Sequence, residues 1–223
     1  MEIRKYIALL VFCLFTASAY ADIELQVTYT DKNGSEITAT ESFSAEAPLH
    51  LRLTSNPSGL DAGATIEWHI KNNTAGINIT RYEENTEYDL TVAGVTEITL
   101  QVVLDNEVIE SSSLRITISS SHLEMPNAFS PNGDGFNDIY RAKQDNYKSI
   151  VEFHAYIFNR NGQKLYEWNN ITGGWDGTHN GHPVKDGVYF VYVKARGADG
   201  IEYNIRRDVN LIRNFNTVDT NNQ

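Results

Sequence analysis

Apolar and polar residues alternate strictly through Ile23-Glu24-Leu25-Gln26-Val27-Thr28-Tyr29, so an extended strand here has one apolar face and one wet face. Asp31-Lys32-Asn33-Gly34 follows as a turn, because an Asn-Gly pair tolerates positive φ. Further runs at 49–53, 64–70, 88–92, 96–104 and 113–118 recur between turn signals. About seven short strands in roughly a hundred residues predict a β-sandwich. Trp68, in a middle strand, is the natural plug of its core.

Past residue 122 the strands lengthen and pair. Residues 151–159 and 164–168 flank Arg160-Asn161-Gly162-Gln163, whose Asn-Gly centre predicts a type I′ turn. Residues 187–196 and 201–213 flank Ala198-Asp199-Gly200 and form the longest predicted pair. Val188-Tyr189-Phe190-Val191-Tyr192-Val193 is apolar or aromatic on both faces. Such a strand is either central and covered on both sides or awaits a partner, which makes it a docking candidate.

The start of the chain has another character. Arg4-Lys5 precede an unbroken apolar run at 6–15, and Ala19-Tyr20-Ala21 supplies a small-x-small cleavage site before Asp22. A bilayer needs about 20 apolar residues, so this run predicts a signal peptide and leaves the mature chain with no expected transmembrane anchor. Cys13, the single cysteine, lies inside that run, so the exported protein is expected to fold without disulfides.

Charge then divides the chain. Residues 22–121 hold 16 acidic side chains against 5 Lys and Arg, while 122–223 hold 12 against 11, and the whole chain carries a net charge of -11. The composition changes at Ser119-Ser120-Ser121-His122, which places a domain boundary there. An excess of negative charge repels phosphate, so nucleic acid is not an expected partner. The expected organisation is all-β: two tandem Ig-like β-sandwich domains after a cleaved signal peptide. Residues 1–21 are the signal peptide, 22–121 an acidic sandwich, 122–215 a second sandwich and 216–223 a flexible tail. The first sandwich, with its central Trp68, resembles the Ig-like and PKD-like domains of bacterial surface proteins.

Candidate chemistry is sparse. No Gly-x-Ser-x-Gly, His-Glu-x-x-His, phosphate loop or dinucleotide fingerprint occurs, so no catalytic residue is named and the protein is not expected to be an enzyme. Glu83, Glu84, Glu87 and Asp89 read as a solvated acidic surface. Residues 127–138 crowd turn-forming types into one short stretch. The oxygens of Asn132, Asp134 and Asp138 there suit a calcium ion, or equally a loop held by its own side-chain to backbone hydrogen bonds. Asp176, His179 and His182 are of types that bind zinc. The glycine-rich stretch around them lacks a helix to align two imidazoles and reads better as a structural loop, with Trp175 packed on the sheet and Asp176 capping a turn.

Five pieces in the second half together resemble one family. They are Phe129-Ser130-Pro131-Asn132-Gly133-Asp134-Gly135-Phe136-Asn137-Asp138, Ile157-Phe158-Asn159-Arg160-Asn161-Gly162, Trp175-Asp176-Gly177, Asp186-Gly187-Val188-Tyr189-Phe190 and Val209-Asn210-Leu211-Ile212-Arg213. In this order, from about 125 to 213, the chain is similar to the gliding motility-associated C-terminal domain, the type B sorting domain of the Bacteroidetes type IX secretion system. Asn161 stands where the family usually has an aromatic residue and Lys185 where it usually has proline. Residues 214–223 follow where most members stop.

The resemblance implies an address. After Sec export such a domain is read in the periplasm by the type IX machinery, with an outer-membrane partner of the PorP/SprF kind, and the protein passes to the cell surface or is released. The sorting residues it implies are Pro131, Asn132, Gly133, Asp134, Gly135, Asn137, Asp138, Arg160, Gly162, Trp175, Asp176, Gly177, Gly187, Tyr189, Leu211, Ile212 and Arg213. The terminal strand and Tyr189 are the expected recognition surface, with core packing the other reading of Tyr189. The first sandwich is then an interaction module in a small cargo resembling PorA-like proteins, which regulate secretion by signalling. The rival reading is an adhesive or structural surface subunit that binds a host or matrix ligand.

Overall fold

The computed structural model describes residues 22–213. The signal peptide expected at 1–21 and the tail expected at 216–223 lie outside the described residues. The first unit comprises β1 (Gln26–Thr30), β2 (Glu36–Ala39), β3 (Phe43–Ala45), β4 (Leu49–Thr54) and β5 (Thr65–Asn72). It continues with β6 (Ile77–Arg81), β7 (Asn85–Leu90), β8 (Gly94–Leu104) and β9 (Glu107–Ile118). They form two sheets, in the orders β2-β1-β4-β7 and β3-β9-β8-β5-β6. All pairs are antiparallel except β3 with β9.

The alternation in each strand becomes the core between the sheets. Val27, Leu49, Leu51 and Leu53 from one sheet meet Ile66, Trp68, Ile70, Ile98, Leu100 and Ile116 from the other. Trp68 is fully buried, and its indole N–H donates to the Glu83 carbonyl at 3.0 Å. A large ring can therefore sit in this core without stranding its polar atom. β8 and β9 meet across Asp105 and Asn106, both at positive φ (51° and 66°), a two-residue turn that fits strand twist.

The second unit runs β10 (His122–Leu123), β11 (Ala128–Phe129), β12 (Tyr147–Lys148), β13 (Ile150–Phe158) and β14 (Lys164–Trp168). It ends with β15 (Thr178–His179), β16 (His182–Pro183), β17 (Gly187–Gly197) and β18 (Glu202–Leu211). One five-stranded sheet, ordered β11-β18-β17-β13-β14, carries most of the ladder; β10 with β12 and β15 with β16 make two short ribbons. The inner face of the sheet presents Phe153, Ala155, Ile157, Tyr189, Val191, Val193 and Leu211. The opposing layer consists largely of irregular chain, which contributes Leu123, Met125, Tyr140, Ala142 and Trp175.

Three loops share one construction. Asp31, Asn159 and Gly197 each pair with the residue four positions on, and each receives the N–H of a left-handed glycine: Gly34, Gly162 and Gly200. This is a three-residue turn closed by a glycine bulge. The predicted type I′ turn at Asn161-Gly162 is therefore corrected: Gly162 has φ 78° and Asn161 does not share it. Two-residue turns with both central residues at positive φ occur instead at Asp105-Asn106 and at Asn180-Gly181, the latter at φ 51° and 77° between β15 and β16.

The two units dock through hydrogen-bonded chain. Ala198, at the tip of the β17–β18 hairpin, is 4% exposed and packs into the core of the first unit. Its N–H donates to the Ser149 carbonyl and its carbonyl accepts from Ala93 N–H, each at 2.9 Å. The Ser149 hydroxyl accepts from Ala47 N–H at 3.2 Å and pairs with Ser119 Oγ at 2.9 Å. Ser121 donates to Asp199 through both its backbone N–H (2.7 Å) and its hydroxyl (2.6 Å). Burial pushes the Asp199 carboxyl up, but the two Ser121 donors and Ile201 N–H outweigh it and hold the group below its ordinary value. Lys32 reaches across to the Tyr147 carbonyl at 3.1 Å and sits over that ring.

Candidate functional site: the far end of the second sheet

β17 begins where β18 ends and where β13 ends, so Gly187 pairs with Leu211 and Phe158 with Phe190. The Arg160–Gly162 hairpin tip, Gly187 and Leu211 therefore share the sheet end opposite the docking hairpin at Asp199. The resembling pieces, separated by dozens of residues in sequence, are gathered at this end.

Gly177 is where several of them touch. Its φ is +78°, and a Cβ added there would lie 3.0 Å from Pro131 Cγ, 3.1 Å from Leu211 Cδ1 and 3.2 Å from Arg213 Nη2. Only glycine satisfies both the left-handed backbone and this close approach. Arg213 binds the same region together. Its Nη1 donates to the Val184 carbonyl and to Asp186 Oδ1, both at 2.7 Å; its Nη2 reaches the Gly177 carbonyl at 3.2 Å; and its backbone N–H donates to Asp186 Oδ2 at 2.8 Å.

Trp175, Tyr189 and Leu211 lie in the core, at 0%, 9% and 0% exposure. Trp175 packs against Phe129 and Tyr189, with centroids 5.3 and 5.1 Å away, and its indole N–H donates to the Thr178 carbonyl at 2.7 Å. The Tyr189 hydroxyl donates to the Lys185 carbonyl at 2.6 Å, and burial pushes its pKa up. Core packing is thus the reading the geometry gives for Tyr189, and a buried ring presents no recognition surface. Ile212, at 37% exposure, and the exposed Arg160 are accessible.

The loop after Phe129 is pinned from within. Asp138 accepts Gly133 N–H on one oxygen (2.7 Å) and Gly135 N–H on the other (2.8 Å). Asp134 accepts Phe136 N–H at 2.7 Å and the Asn132 side-chain amide at 2.8 Å, while Asn132 Oδ1 accepts Asp134 N–H at 3.2 Å. The Asn132 amide, followed by Phe136 N–H, holds the Asp134 carboxyl below its ordinary range. Gly133, Gly135 and Asn137 take φ of 83°, 87° and 55°, and the Ser130 N–H to Asn137 carbonyl bond closes the loop at 2.9 Å.

This arrangement does not fit a calcium cage. The side-chain oxygens of Asn132, Asp134 and Asp138 all accept from N–H donors, four of them backbone amides and one the Asn132 side-chain amide, so they face their own loop. The calcium expectation at Asn132, Asp134 and Asp138 is corrected on that ground to a loop of side-chain to backbone bonds. Melting the protein with calcium and with a chelator is expected to give the same midpoint; a calcium-dependent rise would show a native-state site.

The second metal candidate also resolves into local bonds. Asp176 accepts from Thr178 N–H (2.9 Å) and its hydroxyl (2.7 Å). His179 Nδ1 donates to the Leu165 carbonyl at 2.8 Å, and its Nε2 accepts from the Asn180 amide at 3.3 Å. Among the described residues no group of three His, Cys, Asp or Glu side chains is placed to hold a metal ion.

Two apolar surface features remain, and the first is the strand that the sequence offered as either covered on both sides or awaiting a partner. β17 is central in the hydrogen-bond order, yet only one face is covered: Val188 and Phe190 are 49% and 40% exposed. Tyr192 and Tyr156 stack beside them, under Arg206, Lys194 and Lys164. The other feature is Phe136, 76% exposed at the tip of the pinned loop. The signal for it was present in the motif itself, as an apolar residue placed among turn formers.

Residues 123–205 match the family described as CHU_C Type IX secretion signal domain, so the second unit carries a type IX secretion signal, which implies export to the cell surface or release. No curated protein matches the chain. Among solved structures, dimeric latent PorU from Porphyromonas gingivalis is similar at 10% identity and a TM-score of 0.28, over 87% of this chain and 20% of that one. A tetra-tandem repeat from the extending region of a large adhesion protein aligns at 11% identity and a TM-score of 0.26, over 86% of this chain and 67% of that one. SGBP-B of the mixed-linkage glucan utilization locus of Bacteroides ovatus aligns at 16% identity and a TM-score of 0.29, over 77% of this chain and 43% of that one. The chain spans about a fifth of the length of the PorU chain. No helix among the described residues is long and apolar enough to cross a membrane.

Proposed function

We propose that the protein is a non-catalytic cargo, exported first by Sec and then, through the periplasm, by the type IX secretion system. In this reading residues 22–121 are an interaction module that acts in signalling to the secretion system, and the second unit engages an outer-membrane PorP/SprF-like partner. One observation carries it: the resembling pieces converge at the sheet end that points away from the first unit, where Gly177, Pro131, Leu211 and Arg213 meet. An address at a free end is reachable while both units stay folded, which is what transport of folded cargo requires.

The test uses the intact chain in cells that lack the type IX outer-membrane pore. The protein is expected to accumulate in the periplasm, and surface labelling is expected to fall to background. Unchanged surface display in those cells would refute the reading. Removing residues 124–223 is expected to retain the remainder in the periplasm as well, with folding of the fragment checked by circular dichroism.

A further inference from the structure

Resting on the reading that the second unit is a sorting signal, we infer that Phe136 is the anchor by which a receptor grips it. The receptor surface offers an apolar pocket for one aromatic ring, with carboxylates at its rim. A phenylalanine ring at 76% exposure forgoes the burial that most rings of its size obtain, and Phe136 makes no ring contact with any described residue. Its position is not left to chance. Side-chain oxygens of Asn132, Asp134 and Asp138 hold the N–H groups of residues 133 to 136, and Ser130 N–H holds the Asn137 carbonyl just after the ring, so little loop freedom is lost when it docks. Rigid, exposed aromatics of this kind are the usual centres of binding energy at protein interfaces.

The chemistry of the rim comes from the adjoining groove. Its volume is about 470 Å³, and Gly135 and Asn137, the neighbours of Phe136, line it together with Ile139, Arg141, Lys143 and one carboxylate, Asp138, whose two oxygens are taken by Gly133 and Gly135 N–H. Ile139 is 39% exposed, and neither Arg141 nor Lys143 forms an ion pair among the described residues. Two unneutralised cations beside an apolar anchor call for carboxylates on the partner, which add orientation and association rate to the ring's binding. The turn residues of the motif thus act as a mount, and the residue they mount is the one that touches.

Phe136→Ser in the full chain, expressed in its own host, is expected to lower the surface-exposed fraction at least tenfold while moving the melting temperature of the purified protein by less than 2 °C. Phe136→Tyr is expected to display normally, and Lys143→Glu to reduce display several-fold. Tyr82→Ser, which removes a ring 69% exposed on the first unit, is the control and is expected to display normally. Normal display of Phe136→Ser overturns the anchor, as does a loss of display matched by an equal loss of thermal stability. If the purified protein self-associates and Phe136→Ser abolishes that, the pocket lies on a second copy and the receptor assignment fails. Periplasmic retention in pore-deficient cells is read separately, so the sorting reading can stand while the anchor falls.

Discussion

Trp175→Ala is expected to destabilise the second unit by about 4 kcal/mol, the range for removing a fully buried large ring from a core. The loss has three parts in the structure. Phe129, Tyr140 and Tyr189 surround the ring or its backbone, the indole bond to the Thr178 carbonyl disappears, and a cavity opens beneath the loop that carries Gly177. Small domains hold only about 5–15 kcal/mol in total, so this one change removes a large share. The check is the denaturant midpoint by circular dichroism, with Trp175→Phe expected to cost less than half as much. A shift of under 1 kcal/mol for the alanine variant would show that the ring is not the pillar of this layer. Because the address must be folded to be read, display is expected to fall with stability.

The second large effect is expected at Gly197→Ala. A Cβ there would stand 2.0 Å from Ser121 Oγ, 2.3 Å from Ser121 Cβ and 2.5 Å from Asp199 Oδ1, far inside contact distance. Rotating the serine away relieves its hydroxyl but not its Cβ, and it breaks the bonds to Asp199 and to the Tyr203 hydroxyl. Overpacking of this kind costs about 2 to 3 kcal/mol. A double-mutant cycle checks the cause. Gly197→Ala with Ser121→Gly is expected to recover part of the loss, because the serine change removes two of the three clashing atoms. Strict additivity of the two single changes would mean that Ser121 and Gly197 do not meet.

The sequence pattern revealed the central strands and missed the margins, and the reason is physical. β4, β5 and β8 have neighbours on both sides and a packed face, so their alternation is strong. β2, β3 and β6 are short and lie at sheet edges, with only intermediate and exposed positions, and polar strings such as EITA or INITR carry little periodic signal. β9 was read from residue 113 although it starts at Glu107, because its first half, Glu107 to Ser113, has no buried side chain.

At the site, glycines and Asx residues were readable as turn formers since their conformational needs are local. What they position was not readable. The fates of Tyr189 and Phe136 depend on which strand face turns inward and which loop tip turns outward, and only tertiary contacts decide that. Arg213 stood out as a motif residue, but its grip on Asp186, Val184 and Gly177 spans nearly forty residues of chain and has no local trace.

The docked junction has one more consequence, for proteolysis. The segment between the two units is not a loose tether: Ser119 N–H is held by the Ala45 carbonyl and Ser121 N–H by Asp199, while Ala198 from the far side is seated in the first core. A protease would have to lift this stretch out before its backbone could fit an active-site cleft. Were one peptide bond severed there, the halves would remain clasped as a non-covalent pair, and a nicked chain would still travel in native gels as one particle.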